Sequence, residues 1–305
     1  MTISHNSIFY FHKNHFSFSY KKKHPLSIFH KNYHRTQYLS PKINKNMHLA
    51  IDIGNSDIVF GIGQDKKWTH IFRTRSLPDE PPFYYEKQLR LQLLESNLGI
   101  HDIEMLVLSS VVPTLTDTIV TMLKELFGKT PIMVSPNVFP ELTLAIDQVN
   151  EIGSDLFANA VAAYTKYQRN VVVVDFGTAL TFTTVSKEGT ILGVAITPGL
   201  KTAVKSLFSN TAQLPEVPLV VPKSVFGKNT VHAIQSGILL GYECLVRGMI
   251  GRIRYELDGD CVAVATGGLS SIISTLSNEF IDINRNLTLD GLRIIGERNS
   301  SFPKV

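Results

Sequence analysis

The run Val171-Val172-Val173-Val174 constrains this chain more than any other stretch. Four consecutive β-branched residues favour a strand, and a continuous rather than alternating apolar run reads as a strand buried on both faces. The run closes on Asp175-Phe176-Gly177-Thr178-Ala179, and a second apolar run follows from Leu180 to Val185. Gly177 permits a tight turn and lets a ligand come close to the backbone. A carboxylate at the end of a buried strand, beside a Gly-Thr turn, suits a cation-bound phosphate. The pattern has an echo about 120 residues upstream, which suggests two related halves. There, Leu49-Ala50-Ile51 leads into Asp52-Ile53-Gly54-Asn55-Ser56 and then Ile58-Val59-Phe60-Gly61-Ile62.

The chain is long enough, at 305 residues, for two modest domains with a good core. Its 44% hydrophobic and 18% charged residues are those of a soluble globular protein. Cys244 and Cys261 are the only cysteines and lack metal-ligand spacing, so a reduced, cytoplasmic setting is expected and both read as small buried hydrophobes. The net charge of +4 is misleading. Residues 1–46 carry seven Lys, one Arg and no acid, which leaves 22 basic against 26 acidic residues for the rest. That segment has no helical period and no signal-peptide-length apolar stretch. It reads as a disordered extension or a misassigned start, with Met47 the working initiator; a nucleic-acid partner is not expected, although basic and aromatic residues interleave there. Six of the ten histidines lie in it, and the others have no metal-ligand spacing.

From Met47 onward, strands and helices alternate, which gives an α/β class with a mixed sheet in each half. Residues 48–76 read as a hairpin, with turns at Asp52 to Ser56 and at Gly63-Gln64-Asp65. The prolines of 76–82 predict a loop. An amphipathic helix is expected over Tyr85 to Leu98 with Gly99 as its C′ residue, a strand over Glu104 to Val112, a helix from Pro113 to Phe127, and a strand from Pro131 to Ser135. Gly153-Ser154-Asp155-Leu156 opens an alanine-rich helix. Asp155, near its N-terminus, reads on spacing alone as a cap or a first-turn acid favoured by the dipole. Beyond the valine run come a strand over Thr190 to Ile196 and a helix starting at Thr197-Pro198-Gly199. A proline-marked loop, one long helix from Thr230 to Arg254, and a strand from Cys261 to Ala265 follow. A glycine turn at Thr266-Gly267-Gly268 precedes a short helix. A strand over Phe280 to Ile283 and a helix over Leu289 to Arg298 close the chain. Glu243, Arg247 and Arg252 interrupt the long helix, so it is no membrane span.

The two Asp-bearing turns offer backbone N–H groups and hydroxyls to phosphate oxygens, and their aspartates suit the accompanying cations. The pair Gly267-Gly268 gives a flat backbone against which a base can lie. No Walker sequence and no Gly-x-Gly-x-x-Gly opening a helix is present, so P-loop and Rossmann readings fail. Two lobes with phosphate hairpins facing a cleft suit phosphoryl transfer, where the protein's task is positioning and charge neutralisation.

These motifs resemble those of the type III pantothenate kinases, in the acetate kinase/Hsc70/actin superfamily. The match runs over nearly all of 47–299: Asp52 to Ser56, Asp175 to Thr178, Thr197-Pro198-Gly199, Thr230 with Ala233 to Gly237, Thr266-Gly267-Gly268, and Leu289-Asp290-Gly291-Leu292. The resemblance implies two ribonuclease H-like (actin-like ATPase) domains, at 47–168 and 169–305, with a nucleotide cleft between them. It implies ATP-dependent phosphorylation of pantothenate at the start of coenzyme A biosynthesis, by a homodimer using Mg-ATP and a monovalent cation, K⁺ or NH₄⁺. By the same resemblance Asp155 is the general base and Asp175 the monovalent-cation ligand. ATP contacts fall on Asp52, Ile53, Gly54, Asn55, Ser56, Asp57, Ile58, Val59, Thr178, Gly267 and Gly268, and substrate contacts on Gly153, Ser154, Asp155, Leu156 and Thr230. Two positions depart from the family pattern. Leu156 stands where the family loop has Arg, and Ile146 where a substrate-contacting Tyr is common. An Arg contact to the pantothenate carboxylate would be worth about 1.5–3 kcal/mol. Its loss is expected to weaken binding unless Lys166, Arg169 or a partner-subunit residue compensates. The departures also leave open a kinase of another small alcohol, or a catalytically silent regulatory relative.

Overall fold

The computed structural model describes residues 46–211 and 214–300, so the expectation for the N-terminal segment lies outside the described residues, Asn46 apart. The first half is a meander of β1 (Met47–Ile53), β2 (Asp57–Gln64) and β3 (Lys67–Arg75), then α1 (Pro82–Glu95), β4 (Ile103–Ser110), α2 (Pro113–Phe127) and β5 (Ile132–Met133). After β6 (Thr143–Leu144) and α3 (Ser154–Tyr167), the second half repeats the meander as β7 (Val171–Phe176), β8 (Ala179–Val185) and β9 (Thr190–Pro198). It continues through α4 (Leu200–Ser209), α5 (Thr230–Gln235), α6 (Gly241–Glu256), β10 (Val262–Thr266), β11 (Asp282–Ile283) and α7 (Leu287–Asn299).

The internal echo is a duplication of topology. The first sheet runs β3-β2-β1-β4-β5 and the second β9-β8-β7-β10-β11, with β6 added at the β9 edge. In both, the first three strands are antiparallel neighbours and the fourth and fifth join parallel. These are the two ribonuclease H-like halves of the actin-like ATPase fold. The valine run is the centre of the second sheet, with Val171 to Val174 at most 1% exposed. Alternate valines feed opposite layers. Val171 and Val173 face a core shared with Ala50 and Val107 of the first sheet, and Val172 and Val174 pack with Val246 and Ile250 of α6. A third core lies on the other face of the first sheet, where Leu49, Ile51 and Ile53 meet Leu89 of α1 and Leu115 and Ile119 of α2.

The shared core explains the alanines of α3. Phe157, Ala158 and Ala160 to Ala163 are all buried, and α3 packs against α7 while α7 also packs on β1 and β4. Small side chains let the helices approach until Gly291 of α7 sits against the carbonyl of Ala158, where a Cβ would collide with backbone. The matched stretch Leu289 to Leu292 is therefore a packing signature.

Several local expectations differ from the structure. Helix α1 starts at Pro82, which fits the first turn because its missing N–H has no partner to lose. It ends before Gly99, with Asn97 taking the positive φ of 52°; Gly99 instead caps a 3-10 turn whose Asp102 carboxylate accepts its N–H. The second hairpin turn is Asp65-Lys66, with Gly63 inside β2. The long helix from Thr230 is broken by a π turn at Ser236–Leu240. The strand at Pro131 to Ser135 shrinks to two residues, and the short helix after the glycine turn is a 3-10 segment, Ser274–Glu279. Strand β6 was absent from the sequence reading, since two residues carry no period; it adds in parallel to Thr190 and Ile191.

Candidate active site

Asp52 and Asp175 hold equivalent places in the two halves, each on the first strand of its sheet close to a glycine turn. Gly54 N–H donates to Asp57 O (3.0 Å), and Gly177 N–H to Ala179 O (3.0 Å). The glycine amides thus close the turns themselves. The amides left without a hydrogen bond among the described residues are those of Asn55, Ser56 and Thr178, the ones that point onward from each glycine. The two turns meet: Ser56 Oγ and Thr178 Oγ1 are 2.8 Å apart, although 122 positions separate them in sequence. Both are held from outside. Ser76 donates its N–H to Ser56 O (3.0 Å) and its hydroxyl to Gly54 O, and Thr178 O accepts from Gly199 N–H (2.9 Å) and Thr202 Oγ1 (2.7 Å). A Cβ on Gly199 would run into the Gly177 and Thr178 backbone, which accounts for the Thr-Pro-Gly motif.

The glycine turn after β10 completes this end. Gly267, at φ +89°, lies against the Asp175 carboxylate and the Phe176 backbone, where any side chain would collide. Gly268 is exposed beside it. Ile53 and Ile58 are core residues at 0% exposure, so only their backbone can face a nucleotide; Asn55, Ser56 and Asp57 are exposed and Val59 half-buried.

Asp155 enters from α3, in its first turn. Its Oδ1 accepts the Leu156 N–H (2.8 Å), and a Cβ on Gly153 would collide with that same oxygen. Its own backbone N–H also bonds the carboxylate. Ser154 anchors the helix start: its hydroxyl donates to Ser110 O (3.0 Å), accepts Ser110 N–H (2.9 Å), and lies 2.9 Å from Ser109 Oγ, which donates to Asp52 Oδ1 (2.9 Å). One turn along, buried Asn159 donates to Asp175 Oδ2 (3.0 Å) and accepts from Thr288 Oγ1 of α7 (2.9 Å). Helix α3 thus fixes the position of all three aspartates.

The three carboxylates sense one another. Burial pushes Asp52 up to about 7, with the charges of Asp155 and Asp175 adding to it and the Ser109 hydrogen bond and Arg73 opposing. Burial, then the charge of Asp155, raises Asp175 to about 6 against its Asn159 bond and Arg73. Burial raises Asp155 too, opposed by backbone hydrogen bonds. Such a cluster calls for cations. Around Asp175 the fit is close: its cross-strand neighbours Thr181 and Thr266 are 7% and 1% exposed, and both hydroxyls are buried without a hydrogen-bond partner. Oxygen donors of this kind suit a hard cation. Among the described residues no three His, Cys, Asp or Glu side chains, these aspartates included, are close enough together to hold one metal ion between them. A magnesium ion that keeps its waters and rides on substrate phosphates needs no such group.

The acceptor side differs from expectation. Leu156 is 7% exposed. Lys166 and Arg169, two of the alternatives for compensation, lie at and just past the far end of α3; eleven residues place Lys166 about 16 Å along the axis. Each is already paired, Lys166 with Asp282 (2.6 Å) and Arg169 with Asp260 (3.6 Å). Thr230 is not joined to the aspartates. It lines a cavity of about 580 Å³ with Leu207, Leu214, Lys228 and Ile234. A second cavity, of about 560 Å³, adjoins Gly153 and Ser154 between Ser110, Thr116 and Val134. Ile146 follows β6, half-buried. Ser109, Asn159, Ser76 and Arg73 were missed by the sequence reading. A polar Asn four residues after Asp155 in an otherwise apolar helix was the available signal for one of them.

The family model for type III pantothenate kinase matches residues 48–252. The chain belongs to that family. A type III pantothenate kinase of Moorella thermoacetica is 39% identical over 254 residues, 83% of this chain and 100% of that protein. One of Treponema pallidum is 44% identical over 250 residues, 80% and 91% of the two chains. Among solved structures, one described as a Baf family transcriptional activator from Campylobacter jejuni aligns with a TM-score of 0.51 at 21% identity, covering 82% of this chain and 98% of its own, a likeness of fold alone. The pantothenate kinase turns, at Asp52 to Ser56 and Asp175 to Thr178, are thus the two that touch in space.

Proposed function

We propose that this chain transfers the γ-phosphoryl group of ATP to the primary hydroxyl of pantothenate, the first step of coenzyme A biosynthesis. The observation that carries the reading is the convergence of Asp52, Asp155 and Asp175 beside two hydroxyl-linked turns with unbonded amides. The backbone amides of Asn55, Ser56 and Thr178 and the hydroxyls of Ser56 and Thr178 hold phosphate oxygens, and Gly267-Gly268 leaves room for the nucleoside. Asp52 and Asp175 hold the cations: Mg²⁺ travelling with ATP, and a monovalent ion, K⁺ or NH₄⁺, at Asp175 with Thr181 and Thr266. These ions supply charge neutralisation when bound. Asp155 takes the proton from the attacking hydroxyl; its raised pKa brings it nearer the working pH, where a general base is most effective. Gly153, Ser154 and Leu156 shape the acceptor pocket. Thr230 reaches it from the neighbouring cavity, or from a second subunit.

A homodimer is supported by large apolar side chains left exposed from the end of α4 to the start of α5, with Phe208, Val220, Val225 and Phe226 47–80% exposed. Light scattering on the purified protein tests it. No helix among the described residues is long and apolar enough to cross a membrane. A cytoplasmic location is proposed on the chemistry of the substrate and on two unpaired cysteines, of which Cys261 is buried and Cys244 exposed.

The test is ADP release by the full chain with Mg-ATP and potassium, with and without pantothenate. Pantothenate-dependent turnover is expected, with Asp155→Asn at least about 100-fold slower while its affinity for an ATP analogue stays within about threefold. A nearly active Asp155→Asn refutes the role, and no turnover at millimolar pantothenate refutes the substrate.

A further inference from the structure

The two sheets can be compared row by row. Across the first, Ser109, Asp52, Val59 and Arg73 stand opposite one another on four adjacent strands. Directly paired residues share a face, so all four side chains emerge on the side that carries Ala50 and Val107 to α3. Strands lie about 4.8 Å apart, so the Arg73 and Asp52 backbones are separated by roughly 10 Å, within the reach of an extended arginine towards a ligand bound between them. The equivalent row of the second sheet is Thr266, Asp175, Thr181 and Ile196. The fold therefore tolerates an exposed isoleucine where the first half carries Arg73.

Arg73 is exposed, and no carboxylate lies within ion-pair distance of it among the described residues. Its guanidinium nevertheless acts on the site, lowering the carboxyls of Asp52 and Asp175. The register thus puts this cation on the same face of the sheet as Asp52, and its charge is felt at both phosphate-turn aspartates.

We propose that Arg73 grips the γ-phosphoryl group of the nucleotide and neutralises charge on it during transfer. The inference rests on the kinase reading. In the step, the bond from the γ-phosphorus to the bridging oxygen of ADP breaks, a bond to the pantothenate hydroxyl oxygen forms, and the hydroxyl proton passes to Asp155. Negative charge spreads over the three γ-oxygens, where a planar guanidinium can bind two at once. Arginines in this role are worth about 10³–10⁵ in turnover in other phosphoryl-transfer enzymes.

The test compares wild type, Arg73→Gln and Arg73→Lys. Calorimetry measures the affinity of each for Mg-ADP and for the Mg complex of the β,γ-imido analogue of ATP; steady-state kinetics run alongside, and thermal melts verify folding. Arg73→Gln is expected to lose at least about tenfold in analogue affinity, with ADP affinity within about threefold. Its kcat is expected to fall at least about 100-fold with the pantothenate KM little changed, and Arg73→Lys to recover part of the loss. Unchanged analogue affinity and kcat in Arg73→Gln would overturn the proposal. So would a raised pantothenate KM with unchanged analogue affinity, which would assign Arg73 to the acceptor. Because analogue binding needs no acceptor, a wild type inactive on pantothenate would sink the substrate reading and leave the arginine test intact.

Discussion

Replacing Asp175 by Asn is expected to stabilise the ligand-free protein at pH 8. In the folded protein this carboxyl sits at about 6, against 3.8 for the ordinary group, chiefly because burial disfavours its charge. Between pH 4 and 6 the native state therefore keeps a proton that the unfolded chain has released. Each pH unit in that window costs the native state about 1.4 kcal/mol, up to roughly 3 kcal/mol above pH 6 and nothing below pH 4. Asn keeps an amide oxygen for the Asn159 bond and carries no charge at any pH. The variant should thus be more stable than wild type by about 2–3 kcal/mol at pH 8, or roughly 5–10 °C in Tm, with no gap at pH 4. Guanidinium unfolding of both proteins at pH 4, 6 and 8, with nucleotide and potassium removed, measures it. Potassium should then stabilise wild type and leave Asp175→Asn unmoved. A variant that is less stable at pH 8, or a gap independent of pH, would refute the argument that this site stores the cost of a buried charge for a cation to relieve.

Gly267→Ala should cost about 1–3 kcal/mol, since it forces a side chain into positive φ and against Asp175 and Phe176, and should weaken nucleotide binding; melting and calorimetry together check both. Gly291→Ala should cost a similar 1–3 kcal/mol by wedging α7 away from α3, and the loss should appear as destabilisation before any change in pantothenate KM. With Leu156 buried and Lys166 and Arg169 committed elsewhere, pantothenate and the neutral alcohol that replaces its carboxylate should differ by less than about tenfold in kcat/KM, a comparison of two substrates in one assay. A larger preference for the carboxylate would mean that a cation from outside the described residues supplies the missing contact.

How far the site could be read from sequence follows from how far each signal travels along the chain. Val171 to Val174 and the Asp-x-Gly turns are contiguous, so the strands, the turns and the duplication were legible before any coordinates. Strand β6 is two residues long and exists only because Gly189 and Ile191 supply partners; no local pattern encodes it. The π turn at Ser236–Leu240 lies inside a helical pattern that periodicity alone reads as unbroken. Arg73 was invisible for another reason. It belongs to an exposed alternating strand, and its meaning comes from standing two strands away from Asp52, a relation set by register. Lys166 and Arg169 failed in the opposite direction: they are near Asp155 in sequence, yet α3 carries them to its far end.

The duplication also explains why the active site is asymmetric. Each half supplies an aspartate on its first strand and a small hydroxyl on its fourth, Ser109 in one and Thr266 in the other. Were the halves functionally equal, two like anionic pockets would face each other with nothing to tell donor from acceptor. The third and fourth members of each row break the tie. Val59 and Arg73 put an apolar wall and a free cation beside Asp52, whereas Thr181 and Ile196 put a second buried hydroxyl beside Asp175 and no charge. Under the proposed function the first half meets a phosphate directly, and the second meets it through a bound cation. Helix α3 carries Asp155, the proposed base, between them, touching Asp52 through Ser154 and Ser109 and Asp175 through Asn159. On this account Asn159→Ala should disturb the potassium dependence before the nucleotide affinity, because of the three aspartates Asn159 bonds Asp175 alone, its other bond being to Thr288 of α7. An equal loss in both would mean that the two halves act as a single pocket.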